Sequence, residues 1–349
     1  MIQTEDVSVS HAYRKAYTDG MKNVIALRRK EIDAKREAEI TPEAMKENAQ
    51  AYRRGLMKTL GWPLTEERTE LAKVTVSEEK EYEPGILMRR LTIETLPGLP
   101  FYGILLIPET EGRHPLVISQ HGGWGTPEQT ADLHRPNRYK DMSARLARSG
   151  AVVFAPQLLL WREDEGEEER VGYNLPHNRQ ARENELRQIG SSIAAVEIYS
   201  IMRALDYLVT LDFVDADRIG MTGLSYGGFY TQMTAAIDTR IKAAATNAFY
   251  NDRYHYCWGD FSWFGSAYRF KDAEICALIA PRHFCIHVGE TDAVFDVNTA
   301  LPEIERIKPF FAAQNAADKL KIIVSPVNHT LTDTGEELDF LMNALNEKI

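Results

Sequence analysis

Ser225 stands in Gly223-Leu224-Ser225-Tyr226-Gly227-Gly228, a Gly-x-Ser-x-Gly pattern, and a serine placed in this way can attack a carbonyl carbon. The flanks give the pattern its meaning. Arg218-Ile219-Gly220-Met221-Thr222 reads as a short buried strand and Phe229 to Ile237 as a helix, which puts the serine at the apex of a strand-turn-helix. A turn this tight needs glycine two residues to either side, because a Cβ there would strike the neighbouring strand and helix. A serine hydroxyl is a poor nucleophile at neutral pH until a histidine takes its proton. The histidine in turn needs a carboxylate to hold its tautomer and to stabilise the imidazolium.

Nine histidines are available. His283 and His287 fall within a predicted strand, where a buried, satisfied ring is the expected state. His11 lies in the N-terminal segment, His114 before a strand, and His134, His177 and His255 in polar or aromatic loops. His329 follows the last strand, in Pro326-Val327-Asn328-His329-Thr330, and becomes the candidate base because a nucleophile elbow is followed along the chain by the acid and then by the histidine. The acid should leave the preceding strand. In His287-Val288-Gly289-Glu290-Thr291-Asp292 the candidate is Asp292, with Glu290 and Asp296 as rivals. Two backbone N–H groups must face the developing oxyanion. Tyr226 supplies one at a helix N-terminus. Gly123, with Trp124 as its rival, supplies the other from Gln120-His121-Gly122-Gly123-Trp124-Gly125, in which His121 is expected to brace the loop.

These side chains need a scaffold of strands and helices. The chain opens with a helical prefix of two helices. The second has Thr41 as N-cap, Pro42 at its first position, an apolar stripe of Met45, Ala49, Tyr52, Leu56 and Leu60, and a stop at Gly61 and Pro63. The stripe is expected to pack on the body, with a subunit contact as the alternative. From about residue 80 short apolar runs alternate with helical patterns. Strands are predicted at 87–96, 101–108, 116–119, 151–155, 218–222, 241–248, 283–288 and 320–327, and helices at 141–148, 191–210, 229–237, 302–313 and 336–346. That alternation predicts an α/β protein with a mostly parallel sheet covered on both faces, its site beyond the carboxyl ends of the strands. The division expected is a helical extension over 1–80 and a catalytic domain over 81–349, with lid or cap insertions at 158–190 and 249–271.

With Ser225, Asp292, His329 and His121-Gly122-Gly123 in this order, the chain resembles the α/β-hydrolases, and within them the dienelactone-hydrolase and acetyl-xylan-esterase-like branch. The likeness extends to Glu94-Thr95-Leu96-Pro97-Gly98, to Val214-Asp215-Ala216-Asp217-Arg218-Ile219-Gly220 and to Asp238-Thr239-Arg240-Ile241-Lys242-Ala243. It implies the α/β-hydrolase fold and a two-step acyl transfer that uses no metal or organic cofactor. Dienelactone hydrolases use a cysteine nucleophile, whereas a serine stands here. The resemblance therefore implies a serine carboxylesterase for small acyl esters, acetylated carbohydrates among them. Ser-Tyr-Gly-Gly also resembles the prolyl-oligopeptidase elbow, which keeps an aminopeptidase or amidase as an alternative. A propeller of several blades, each about 40–45 residues, does not fit in the prefix. A non-catalytic binding protein on the same scaffold is the third reading.

What enters the pocket depends on the two insertions. The first is acidic, with Glu163, Asp164, Glu165, Glu167, Glu168 and Glu169 close together. The second is aromatic, and Tyr250, Trp258 and Trp263, with Trp124, are the candidate substrate-binding rings. A net charge of −10 disfavours nucleic acid or an anionic membrane as partner. No apolar run approaches the roughly 20 residues that span a bilayer. The three cysteines, without metal-ligand spacing, and a start lacking an export-signal pattern lead us to expect a cytoplasmic protein. A homo-oligomer through the N-terminal helices is the partner expected besides a small ester.

Overall fold

The computed structural model describes residues 3–66, 70–134, 139–158, 179–259 and 262–347. Two helices come first, α1 (Val7–Glu39) and α2 (Pro42–Leu60). Thr41 Oγ1 caps α2 by accepting the Ala44 N–H at 3.1 Å, with Pro42 inside the first turn and Gly61 closing the last. Met45, Tyr52, Leu56 and Leu60 are buried in the main core.

The strands are β1 (Lys73–Val76), β2 (Lys80–Glu83), β3 (Ile86–Leu96), β4 (Leu99–Pro108), β5 (His114–Gln120), β6 (Val152–Pro156), β7 (Val214–Leu224), β8 (Ile241–Asn247), β9 (His283–Gly289) and β10 (Leu320–Ser325). They form one sheet in the order β1-β3-β4-β6-β5-β7-β8-β9-β10, with β2 also on β3. The pairs from β6 through β10 are parallel and the others antiparallel. Pro97-Gly98 joins β3 to β4, and Gly98 takes the positive φ of 77° that such a two-residue connection needs.

Between and after the strands lie α3 (Pro127–Thr130), α4 (Met142–Arg148), α5 (Arg179–Gln188), α6 (Ile193–Leu208), α7 (Tyr226–Ile237), α8 (Asp272–Ala277), α9 (Val297–Ala313) and α10 (Glu336–Asn346). Helices α2, α6, α7, α8 and α9 pack together on one face, and α4 and α10 cover the other. Each face has its own core, so Leu116 and Ile118 of β5 point into one and Val117 into the other. Burial on both sides is why the parallel strands read as unbroken apolar runs.

Several expectations need correction. The sheet already starts at Lys73, because β1 pairs with β3, so the division at residue 80 cuts through it. α9 begins at Val297, not at Pro302; Asp296 caps it by accepting the Asn298 N–H at 2.9 Å, and Pro302 and Pro309 lie inside. α5 and α8 occupy stretches given no helix. The acidic run 163–169 and His177 lie outside the described residues.

Candidate active site

β7 ends at Leu224 and α7 begins at Tyr226, which isolates Ser225 in the turn at φ 60°, ψ −119°. A residue bearing a side chain avoids this region at a cost of about 1–3 kcal/mol. The surroundings hold it there: the Ser225 N–H donates to the Asn247 carbonyl at 2.8 Å, and its own carbonyl accepts the Phe229 N–H at 3.0 Å. A Cβ on Gly223 would overlap the Gly227 backbone, and one on Gly227 the Gln120 carbonyl. Both glycines are therefore required by the approach of β5 to the elbow. Ser225 is 8% exposed, largely shielded by the turn.

At the end of β9 the chain turns through Gly289, where a Cβ would lie 2.5 Å from the Val327 carbonyl oxygen and 2.8 Å from that of Asn328. This close approach lets the loop after β9 join the loop after β10. The Thr291 N–H donates to the Val327 carbonyl at 3.2 Å, and Asn328 Oδ1 accepts from the Ala293 N–H (3.0 Å) and the His329 N–H (2.7 Å). The two side chains then meet: His329 Nδ1–H donates to Asp292 Oδ2 at 2.9 Å. Asp292 Oδ1 accepts the Val294 and Phe295 N–H groups at 2.7 and 3.0 Å. Burial pushes this carboxyl up, but the hydrogen bond and charge of His329 and the two N–H groups outweigh it and hold it below its ordinary value. Asp292 thus stays a carboxylate and fixes the proton of His329 on Nδ1, leaving Nε2 to accept. Of the rivals, Asp296 caps α9, and Glu290 makes no side-chain hydrogen bond to a described residue.

The loop after β5 passes beside the elbow. A Cβ on Gly122 would lie 3.0 Å from the Ser225 Cβ and 2.6 Å from the Leu224 carbonyl oxygen. Its N–H is taken by Tyr139 Oη at 3.0 Å, whereas the Gly123 N–H donates to no described residue. Tyr226 opens α7, where a helix supplies its N–H groups with no carbonyl of its own. His121 is fully buried; burial pushes its pKa down to about 4, so the ring is neutral. Its Nδ1–H donates to the Gly122 carbonyl at 2.8 Å and its Nε2 accepts the Leu158 N–H at 3.0 Å. It braces the loop and takes no proton.

Among the candidate rings, Trp258 and Trp124 are partly exposed while Tyr250 and Trp263 are buried. The last two are corrected to core residues: the Tyr250 hydroxyl donates to the Glu303 carbonyl at 3.0 Å, and Trp263 packs on Phe229 with the Arg253 guanidinium over its face. Trp258 stacks with Tyr226 at 6.4 Å and meets Phe295 at 5.6 Å; Phe295 lies 5.8 Å from the His329 ring. A wall of rings therefore runs from the residue after Ser225 to His329. Phe295, Asn328 and Tyr139 were not anticipated. Only Asn328, next to His329, carried a local signal.

An apolar cavity of about 620 Å³ lies elsewhere, lined by residues such as Leu96, Phe101, Leu186 and Ile193 and touching none of Ser225, Asp292 or His329. Among the described residues no group of three or more His, Cys, Asp or Glu is placed to hold a metal ion. No described helix is long and apolar enough to cross a membrane.

The family model described as "Dienelactone hydrolase family" matches residues 101–342. The Bacillus subtilis (strain 168) protein named "Putative hydrolase YtaP" is 31% identical over 240 residues, covering 63% of this chain and 75% of the relative. Among solved structures, "Methylesterase BT1017" superposes with a TM-score of 0.69 at 21% identity, over 91% of this chain and 68% of that one. Acetyl xylan esterase 1 from Thermoanaerobacterium sp. JW/SL YS485 gives 0.55 at 17% identity, over 86% and 94%. At these identities the two structures establish the α/β-hydrolase-like fold alone.

Proposed function

Since the chain belongs to the dienelactone hydrolase family, we propose that it is a serine carboxylesterase acting on small acyl esters through an acyl-enzyme. The observation that carries this reading is the side chain at 225. The elbow holds a serine, in a strained turn, on the same edge of the sheet as a hydrogen-bonded Asp292–His329 pair.

In this mechanism Ser225 Oγ attacks the ester carbonyl as its proton passes to His329 Nε2. The N–H groups of Tyr226 and Gly123 stabilise the oxyanion, an effect worth about 3 kcal/mol for each donor. The imidazolium, stabilised by Asp292, then protonates the departing alkoxide. Water deprotonated by the same ring releases the acid and restores the serine. Trp258 and Trp124, flat and exposed, favour a ring-shaped alcohol such as an acetylated sugar.

The test is hydrolysis of p-nitrophenyl acetate together with labelling by a fluorophosphonate. Wild type should turn over the ester and carry the label on Ser225. Ser225→Ala should lose about 10³-fold or more in kcat and stay unlabelled. Labelling at another residue, or equal turnover by the variant, would overturn the assignment.

A further inference from the structure

We infer that α1 pairs antiparallel with the α1 of a second copy of this chain, across a two-fold axis at Gly20. From residue 3 to residue 28 every residue but Asp19 is exposed, so the first part of α1 extends off the body as a bare helix. Its residues 7–28 span roughly 33 Å at 1.5 Å per residue. An isolated helix of this length is marginal in water even with good helix formers. This one contains Val7, Val9, Thr18, Val24, Ile25 and a central glycine. Its stability calls for packing.

The apolar residues say what packs on it. Tyr13, Ala16, Tyr17, Gly20, Val24 and Leu27 fall on one face at helical spacing, while Lys15, Lys22 and Arg29 repeat every seven residues on the opposite face. Tyr13 and Leu27 lie seven residues either side of Gly20, and Ala16 and Val24 four either side. Apart from Tyr17, whose counterpart is Asn23, the stripe is symmetric about Gly20 and so self-complementary, as an isologous two-fold contact requires. When the helix is turned end for end, Tyr13 of one copy meets Leu27 of the other and Ala16 meets Val24. The two axes cross at Gly20, where a Cβ would meet nothing in the single chain. Glycine there costs the helix about 1 kcal/mol, and close approach of a second backbone gives that cost a reason. The lysines point away from the contact and do not oppose it.

The area suffices. Tyr13 and Tyr17 are 76% and 72% exposed, Val24 and Leu27 60% and 62%. With roughly 150 Å² from each tyrosine and about 100 Å² from each aliphatic, a pair buries on the order of 1,000 Å², where specific interfaces begin. The stripe has no Trp or Phe to anchor in lipid, and the chain carries −10 overall.

The test uses the full chain. Sedimentation equilibrium at micromolar concentration should give twice the chain mass, and Tyr13→Glu with Leu27→Glu should weaken the dimer by roughly 100-fold or more. Both side chains are largely exposed, so the variant should keep the thermal melting profile of the monomeric body. In a Cys257→Ser background, Gly20→Cys should form an inter-chain disulfide on mild oxidation and Lys15→Cys should not. A wild-type monomer, a dimer indifferent to the glutamates, or equal cross-linking from both positions overturns the pairing. So does a monomer that co-sediments with phosphatidylserine vesicles, which would make the stripe a lipid contact.

Discussion

Asp292 is half of a hydrogen-bonded acid–base pair at the sheet edge, and its oxygens divide the work: Oδ2 faces His329 while Oδ1 is tied to the backbone. Asp292→Asn keeps the shape but offers His329 the wrong tautomer partner, and kcat on p-nitrophenyl acetate should fall by about 10³–10⁴-fold. A smaller loss, within tenfold, would remove Asp292 from the mechanism. The buried histidines make a different prediction, about stability. Burial holds His121 and His287 at about 4, against 6.5 for an exposed ring. Below pH 6.5 the unfolded chain gains protons that the folded chain refuses, so stability falls as pH falls, until about pH 4. Between pH 7 and pH 5 each ring should remove about 2 kcal/mol. Urea unfolding at the two pH values checks this: in His287→Gln the loss should shrink by about that amount, and an unchanged loss would mean that His287 ionises freely in the folded chain. The residues that could be read from the sequence were those that end a strand. Ser225, Asp292 and His329 each follow an apolar run and, in the first two cases, a glycine. Tyr250 and Trp263 could not be placed, because a cluster of rings in sequence does not tell which rings turn inward. Tyr139 is 17 residues from the Gly122 N–H it receives, and nothing local announces it.

The loops after β9 and β10 act as one unit. Gly289 is what lets them touch, and a methyl group there would press on the Val327 and Asn328 carbonyls. Gly289→Ala should therefore separate the loops without touching either side chain of the pair. The expected outcome is a fall in kcat of about tenfold to a hundredfold, with a stability loss of about 1–3 kcal/mol, the range for a crowded site. Wild-type kcat with stability lowered by that amount would show that the loops' contact does not position the pair. Strands on the parallel side could be read because both faces are buried. β1 and β2 escaped notice for the opposite reason: Lys73-Val74-Thr75-Val76 and Lys80-Glu81-Tyr82-Glu83 flank β3 and are largely exposed, so they carry no apolar run. α8 is six residues inside a buried stretch, where a helix and a strand have the same apolar signature.

The helical prefix and the α/β body behave as a single structure from α2 onward. Met45, Leu56 and Leu60 lie in the same core as Phe229, Ile275 and Phe311. Arg53 reaches through that layer to donate to the carbonyls of Ala236 (2.8 Å) and Leu278 (3.0 Å). At the root of α1, buried Arg36 faces Glu274 at 3.5 Å, and Glu274 also pairs with Arg306, which holds Glu303 at 2.6 Å. Glu303 accepts Lys271 at 2.6 Å, so one set of buried charges links α1, α8 and α9. Removing one partner from such a set strands the others. A unit wired in this way is expected to melt together with the sheet. Leu56→Ala, at a fully buried position, should cost about 2–5 kcal/mol, and for a chain of this length each kcal/mol lowers Tm by roughly 1–2 °C. The decisive measurement is whether the far-ultraviolet signal and the esterase activity are lost together. They should shift down by the same few degrees, although Leu56 lies far along the chain from Ser225. Activity melting at the wild-type temperature while helix signal is lost early would make residues 1–60 an appendage, and the sheet the whole enzyme.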